Sequence, residues 1–499
     1  MPTPHQPDAL LDTLTNWKPF RVLVVGDFML DQLIHGTAER LSPDAPVPIL
    51  HVRSTENRPG GAANVCLDLV ALRAHVQAFG VVGADVHAEI TRGELSRQGV
   101  DTSGLISDTA RPTTVKQNLI GLAQARHPQK MFRVDYESRE PLSAAMVAKL
   151  LDALTRELPN ADAVCIEDYD KGVCTPDLCQ GVITASRRAG KPVFVDPARG
   201  VDYAKYRGAT AITPNRTEAE DAIGQRTEDA GPSERNIALA RTLRERLDLD
   251  ACVLTLDRHG ALLLTREGQA IAVPTVARQV YDVTGAGDMF LAGLAAARAN
   301  GCAWADSVRF ANAAAGLEVE VFGVQPIPLE QIHHSLLMLA APTIGKLRTI
   351  EQARVELAGL RKQGKRVVFT NGCFDVLHSG HVTLLEKAAA MGDYLVVGLN
   401  DDDSVRRLKG PTRPVNKQEE RARVLGALQS VGAVVIFPED TPLSLIKELK
   451  PDTLVKGGDY TLDRVVGRTE VESWGGRVAL VDLVEGKSTT ATLGRIRGA

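Results

Sequence analysis

The sequence predicts two α/β domains in series, each built on a largely parallel sheet with crossover helices. Three observations carry that prediction. Short β-branched apolar runs alternate with helix-length segments. The alternation runs twice along the chain, with one break. The 499 residues suffice for two to four domains at roughly 100–200 residues each. In the first series Arg21–Gly26, Ala163–Glu167, Pro192–Asp196, Ala211–Thr213 and Val253–Leu256 read as buried strands, with helices over Ala144–Leu158 and Glu234–Leu247. Strands that are apolar throughout and separated by helices indicate a sheet covered on both faces. The second series runs through Arg366–Thr370, Tyr394–Gly398, Ala433–Phe437, Thr453–Lys456 and Val478–Val481. Between them, Gln325–Pro328 carries two prolines and Ile332–Arg348 offers no strand. The expected organisation is a domain over 1–335, a linker over 336–350 and a domain over 351–499, each large enough to bury its own core.

Composition excludes several classes. The chain is 44% apolar and 24% charged, ordinary globular usage and unlike a disordered or fibrous chain. A net charge of −4 and 4% aromatic residues give neither a basic footprint nor stacking platforms for nucleic acid, and nothing for an anionic membrane. No uncharged apolar run approaches the 18 or so residues of a membrane helix. The first residues lack the basic and apolar regions of a signal peptide. Seven cysteines, none in a CxxC pair, argue against disulfides and structural zinc and for a reducing cytoplasm.

The most informative feature of the first half is Asp282–Asp288, DVTGAGD, followed by an Ala- and Leu-rich helical run. The small residues Gly285, Ala286 and Gly287 let backbone N–H groups approach an anion, and a helix N-terminus adds partial positive charge. Such a turn suits the charge of a transferring phosphoryl group. Asp288 stands at its mouth, where a carboxylate can take a proton from a substrate hydroxyl; the structural alternative is a helix cap. Three further segments follow strands or open helices. Gly60, Gly61 and Asn64 lie in RPGGAAN, and Asp27 and Asp31 follow the first strand. Carboxylates and an amide at strand ends can grip sugar hydroxyls. Asn215, Arg216, Thr217 and Glu218 (NRTE) put an amide and a carboxylate on one helical turn, able to hold water around Mg²⁺ on nucleotide phosphates.

These motifs together resemble the ribokinase (PfkB) family of carbohydrate kinases over roughly residues 15–325. The resemblance implies a three-layer α/β/α domain. Asp288 would be the base, Gly285–Gly287 the anion hole, and Asn215 to Glu218 the nucleotide and Mg²⁺ site, with Glu218 reaching the metal through water.

In the second half, the strand Arg366–Thr370 runs into NGCFDVLHSGH and then a helical pattern. His378 and His381, spaced i, i+3 at a helix start, share a face. Two imidazoles there can donate to phosphate oxygens and stabilise a pentavalent transition state. No cysteine or third clustered histidine supports zinc. The stretch resembles the HxGH nucleotidyltransferase superfamily, which implies a Rossmann-like domain. Ser488, Thr489 and Thr490 would form a phosphate-binding helix start. Lys409, Arg413, Arg421 and Lys456 are candidate phosphate-neutralising cations, and Asp459 a candidate for hydroxyl contacts.

The fused architecture resembles the family of bifunctional heptose kinase/adenylyltransferases of lipopolysaccharide core synthesis. That resemblance implies ATP at both sites, Mg²⁺, and two reactions. The first is phosphorylation of D-glycero-β-D-manno-heptose 7-phosphate at O1. The second is transfer of AMP to heptose 1-phosphate, giving ADP-heptose and pyrophosphate. A separate phosphatase would act between them. Lys116, Arg133 and Lys171 are the candidate cations for the 7-phosphate. A homodimer is expected, with neither nucleic acid nor membrane as partner. The alternative keeps both reaction types but changes the sugar phosphate or uses CTP.

Overall fold

The structure, a computed structural model, describes residues 9–122, 128–275, 280–321, 323–340, 346–362, 364–457 and 461–481. It divides into two compact units. One spans Asn16–Ile332. The other begins at His333 and also takes in the helix Ala9–Thr15 from the start of the chain. No helix among the described residues is long and apolar enough to cross a membrane.

The Asn16–Ile332 unit holds a nine-stranded sheet. Its order is Ala270–Val273, Ala261–Thr265, Ala251–Thr255, Ala211–Ile212, Val193–Asp196, Ala163–Glu167, Phe20–Gly26, Ala74–Gly83 and Asp101–Asp108. All pairings are parallel except the two made by Ala261–Thr265. Val22, Leu23 and Val24 are wholly buried, as the central strand of a sheet covered on both faces must be. From Phe20–Gly26 the chain builds outward first to one side and then to the other. The strand order therefore reverses between Gly26 and Glu167, where such sheets form a ligand crevice. The helix Ala286–Ala299 covers this end. Gly293 admits the neighbouring helix Trp304–Glu318 to close range, since a Cβ there would lie 3.0 Å from Ala311 Cα.

A second, four-stranded sheet belongs to the same unit: Pro48–Gly61, Phe28–Leu41, Thr114–Leu122 and Pro128–Tyr136. The sequence reading contains no such sheet. Its strands mix polar and apolar residues because part of the sheet faces water, so no continuous apolar run marks them.

The other unit carries a six-stranded, all-parallel sheet. Its order is Leu347–Arg348, Ala433–Phe437, Tyr394–Asn400, Val367–Gly372, Thr453–Gly457 and Arg477–Val481. Here the order reverses beside Val367–Gly372, whose C-terminal end leads into the segment 373–381.

Candidate active sites

The first site lies at the reversal point of the nine-stranded sheet. Gly285 adopts φ 90°, ψ −17° and begins the helix Ala286–Ala299. Only glycine takes that conformation without strain. Ala286, Gly287 and Asp288 thus occupy the first helical turn, where backbone N–H groups lack helical acceptors. Asp288 is 2% exposed. Asn64 Nδ2 donates to its Oδ2 at 2.9 Å and the Tyr169 hydroxyl donates to its Oδ1 at 2.8 Å. Burial raises this carboxyl to about 6, against the pull of the Asn64 and Tyr169 hydrogen bonds and the Lys116 charge. Its environment therefore favours both holding and giving up a proton near neutral pH, which suits a general base.

A cavity of about 400 Å³ opens in front of Asp288. Glu167, Tyr169, Asp196, Arg139, Arg199, Asn215, Glu218, Gly285 and Gly287 line it as well. Asn215 and Glu218 form a reciprocal cap on the helix Arg216–Ile223. Asn215 Oδ1 accepts from the Glu218 amide (3.0 Å), and Glu218 Oε2 accepts from the Asn215 amide (2.8 Å). The capping role and a place on the cavity wall thus coincide. Glu167, Asp196 and Asp288 each bring a carboxylate oxygen within 4.8 Å of the others. Glu167 Oε2 is buried without a hydrogen-bond partner. Burial first raises both, followed by repulsion from Asp196 for Glu167 and from Glu218 for Asp196. An uncompensated all-oxygen set of this kind fits a hard divalent cation.

Several sequence-predicted residues take other places. Asp27 is engaged by a loop. It is 1% exposed and accepts backbone N–H groups of Tyr169 (2.9 Å), Lys171 (3.1 Å) and Val173 (3.2 Å). Its oxygens are filled by the loop they hold. Asp31 stays near the site. Gly60 lies beneath its carboxylate, since a Cβ there would be 2.5 Å from Asp31 Oδ2. Burial raises Asp31, while Lys116 and Arg133 pull it down. Gly61, at φ 59°, precedes the helix Ala62–Ala71 that presents Asn64. Lys116 Nζ sits 5.5 Å from the centre of the Tyr169 ring. Arg133 grips Asp135 through two 2.8 Å bonds. Lys171 pairs with Glu137 (2.6 Å). Arg216 pairs with Asp229 and Asp257, and Thr217 is exposed. Tyr169, Glu167, Asp196, Arg139 and Arg199 were not singled out from sequence. Glu167 and Asp196 did carry a signal, a carboxylate ending an apolar strand.

In the second unit, His378 precedes the helix Ser379–Ala389 and His381 sits in its first turn. Their rings stack at 3.9 Å between centroids, and Phe374 packs edge-on to His381 at 5.3 Å. Burial, then the His378 neighbour, lowers His381 to about 4. Asp375 ties the segment around Arg413 to this one. It pairs with Arg413 and accepts the amides of Val415 (2.6 Å) and Asn416 (3.1 Å). Lys456, next to last in the strand Thr453–Gly457, donates to Asn371. Lys409 ends the exposed helix Asp402–Lys409, and its charge reaches Cys373. Arg421, expected at phosphate, has a structural place. It is 2% exposed and donates to the carbonyls of Asn416, Cys373 and Asn400 and to Asp402. Four of its five N–H donors are spent on these partners, so its main part is to cross-brace the unit. Ser488, Thr489, Thr490 and Asp459 lie outside the described residues.

A carbohydrate kinase joined to a nucleotidyltransferase is the class that these folds and sites define. Residues 20–332 match the pfkB family of carbohydrate kinases, and residues 369–488 match the cytidylyltransferase-like family. The chain is similar to the bifunctional protein HldE of Geobacter sulfurreducens, at 46% identity over 95% of each chain. It is likewise similar to that of Methylobacillus flagellatus, at 43% identity over 97% of this chain and 98% of the relative. The chain belongs to this HldE family and is a two-activity enzyme. In fold it is similar to Arabidopsis thaliana ribokinase solved with ribose and ATP (TM-score 0.50, 21% identity, covering 63% of this chain and 99% of that one). The tetrameric inhibited form of Escherichia coli phosphofructokinase-2 gives TM-score 0.51 at 16% identity, covering 64% and 99%.

Proposed function

We propose that the protein makes ADP-heptose in two separated steps. The first site phosphorylates D-glycero-β-D-manno-heptose 7-phosphate at O1 with ATP. The second joins heptose 1-phosphate to AMP from ATP and releases pyrophosphate. A separate phosphatase removes the 7-phosphate between the steps. The kinase residues lie within 1–335 and the transferase residues within 351–499, and two copies of the chain assemble as a dimer. The observation that best supports this reading is the buried Asp288, held by two donors at the mouth of a left-handed glycine turn.

In the kinase step Asp288 takes the proton of the sugar O1 hydroxyl. O1 attacks the γ-phosphorus in line, and the bond to the β,γ-bridging oxygen breaks. The N–H groups of Ala286, Gly287 and Asp288 receive the charge that develops. Glu218, with Glu167 and Asp196, would hold Mg²⁺ through its water. Bound there, the ion neutralises phosphate charge. Asp31, Asn64, Gly60 and Gly61 shape the sugar side, and Lys116 supplies positive charge to it. In the transferase step a sugar-phosphate oxygen attacks the α-phosphorus of ATP and pyrophosphate leaves. That nucleophile needs no base. Catalysis rests on orientation by His378 and His381 and on charge from Lys409, Arg413 and Lys456.

The test is a coupled assay of the whole chain with the heptose 7-phosphate, ATP and Mg²⁺, with and without an added phosphatase, and with CTP replacing ATP. ADP release without phosphatase, and pyrophosphate release only with it, supports the reading. Turnover with CTP or another sugar phosphate alone refutes the substrate assignment.

A further inference from the structure

Asp288 is gripped by two donors, and only Asn64 comes from a motif that the sequence singles out. The other is Tyr169, whose ring, backbone and hydroxyl are each fixed separately. Its amide is tied to the buried Asp27 carboxylate at 2.9 Å. Asp27 also binds the amides of Lys171 and Val173, closing a turn in which Asp170 (φ 56°) and Gly172 (φ 82°) both adopt left-handed backbone. The Lys116 ammonium lies over the face of its ring, a cation–π contact. The phenol, which burial and then the Asp288 charge push well above its ordinary pKa and so keep protonated, donates to Asp288 Oδ1 at 2.8 Å. Asn64 donates to the opposite oxygen at 2.9 Å.

Two donors on different oxygens, from the helix Ala62–Ala71 and from the loop after the strand Ala163–Glu167, fix the plane of the carboxylate. A carboxylate held at one oxygen only can swing about its χ2 torsion. We propose that Tyr169 is a positioning residue of the kinase site, its hydroxyl setting the Asp288 carboxylate so that a lone pair faces the bound sugar hydroxyl. On this account Asp27 acts at one further remove, by folding the turn that delivers the tyrosine. The inference rests on Asp288 being the base.

Tyr169→Phe removes the hydroxyl and keeps the ring and its contact with Lys116. The whole chain is assayed with ATP and whichever sugar phosphate the unmutated enzyme consumes. The expected result is a fall in kinase kcat on the order of 10- to 100-fold, the cost of a base misplaced by up to an ångström. KM for both substrates, pyrophosphate release at the second site and the thermal midpoint should stay at their unmutated values. An unchanged kcat overturns the proposal, as does a loss confined to KM or accompanied by a lowered midpoint. Asp288→Asn is measured beside it. If Asp288→Asn is inactive while Tyr169→Phe turns over normally, only the role of Tyr169 falls. If Asp288→Asn retains full turnover, the assignment of the base falls with it.

Discussion

Replacing Gly285 by alanine should disable the first activity and leave the second intact. An L-residue at φ 90° is strained by roughly 1–3 kcal/mol. The new Cβ would also lie 2.6 Å from Glu318 Oε1 and 3.0 Å from Val324 Cγ1. Glu318 cannot swing aside into water, because it is 1% exposed. It packs near the equally buried Asp68, whose charge would oppose its own; burial and that repulsion raise Asp68. The turn must therefore move instead, taking the first N–H groups of the helix Ala286–Ala299 with it. Loss of one such donor costs about 10²–10³ in kcat, or about 2.7–4 kcal/mol. ADP release and pyrophosphate release are measured on one preparation, so the second activity reports whether the chain is folded. A kinase kcat within about threefold of the unmutated enzyme would refute the assignment of this turn as the anion hole.

Other outcomes follow from the same geometry. Asp288→Asn should abolish kinase turnover and spare adenylyl transfer, and His381→Ala should do the reverse; a folded variant that loses both would show that the sites are not independent. Arg421→Met leaves Asp402 and three carbonyls, of which that of Asn400 is bonded in the interior, without this donor, so the second unit should lose about 1–3 kcal/mol in denaturant unfolding, and an unchanged stability would contradict the cross-brace. Glu356 is pushed up by burial but held down to about 2 by His334, Arg348 and Tyr394. Because its folded pKa is depressed, its contribution is complete above about pH 4.5 and fades as pH falls toward 2, a span worth about 3 kcal/mol. Glu356→Gln should flatten that acid limb, and an identical limb in the variant would remove Glu356 as its source.

What the sequence made legible was local. The glycine turn before Asp288, the His378/His381 spacing and the Asn215–Glu218 pair are short-range patterns. Each keeps its meaning because a helix start fixes neighbours three residues apart. What stayed hidden depends on distant partners. Tyr169 meets Asp288 across 119 residues, and no local pattern announces that contact. Asp27 sits where ligand-binding carboxylates are found, yet its acceptors are filled by a loop more than a hundred residues away. Arg421 lies in a charged stretch that reads as a solvated face, and it is buried because three carbonyls converge on it. In the four-stranded sheet polar positions interrupt the apolar runs that mark strands such as Phe20–Gly26 and Ala163–Glu167, and the short strand Leu347–Arg348, in a stretch read as strandless, has no such run at all.

The helix Ala9–Thr15 groups with the unit built from the far end of the chain and meets the helix Ile350–Lys362 there. A ribosome finishes one some 340 residues before it reaches the other. At about 5–20 residues per second, that is a wait of roughly 17–68 s. Leu10, Leu11 and Leu14, buried in the folded chain, wait through that interval for this partner helix while the whole Asn16–Ile332 unit is synthesised. The unit from His333 onward therefore draws one of its pieces from chain made before the whole Asn16–Ile332 unit, and cannot take it in until the helix Ile350–Lys362 has been synthesised.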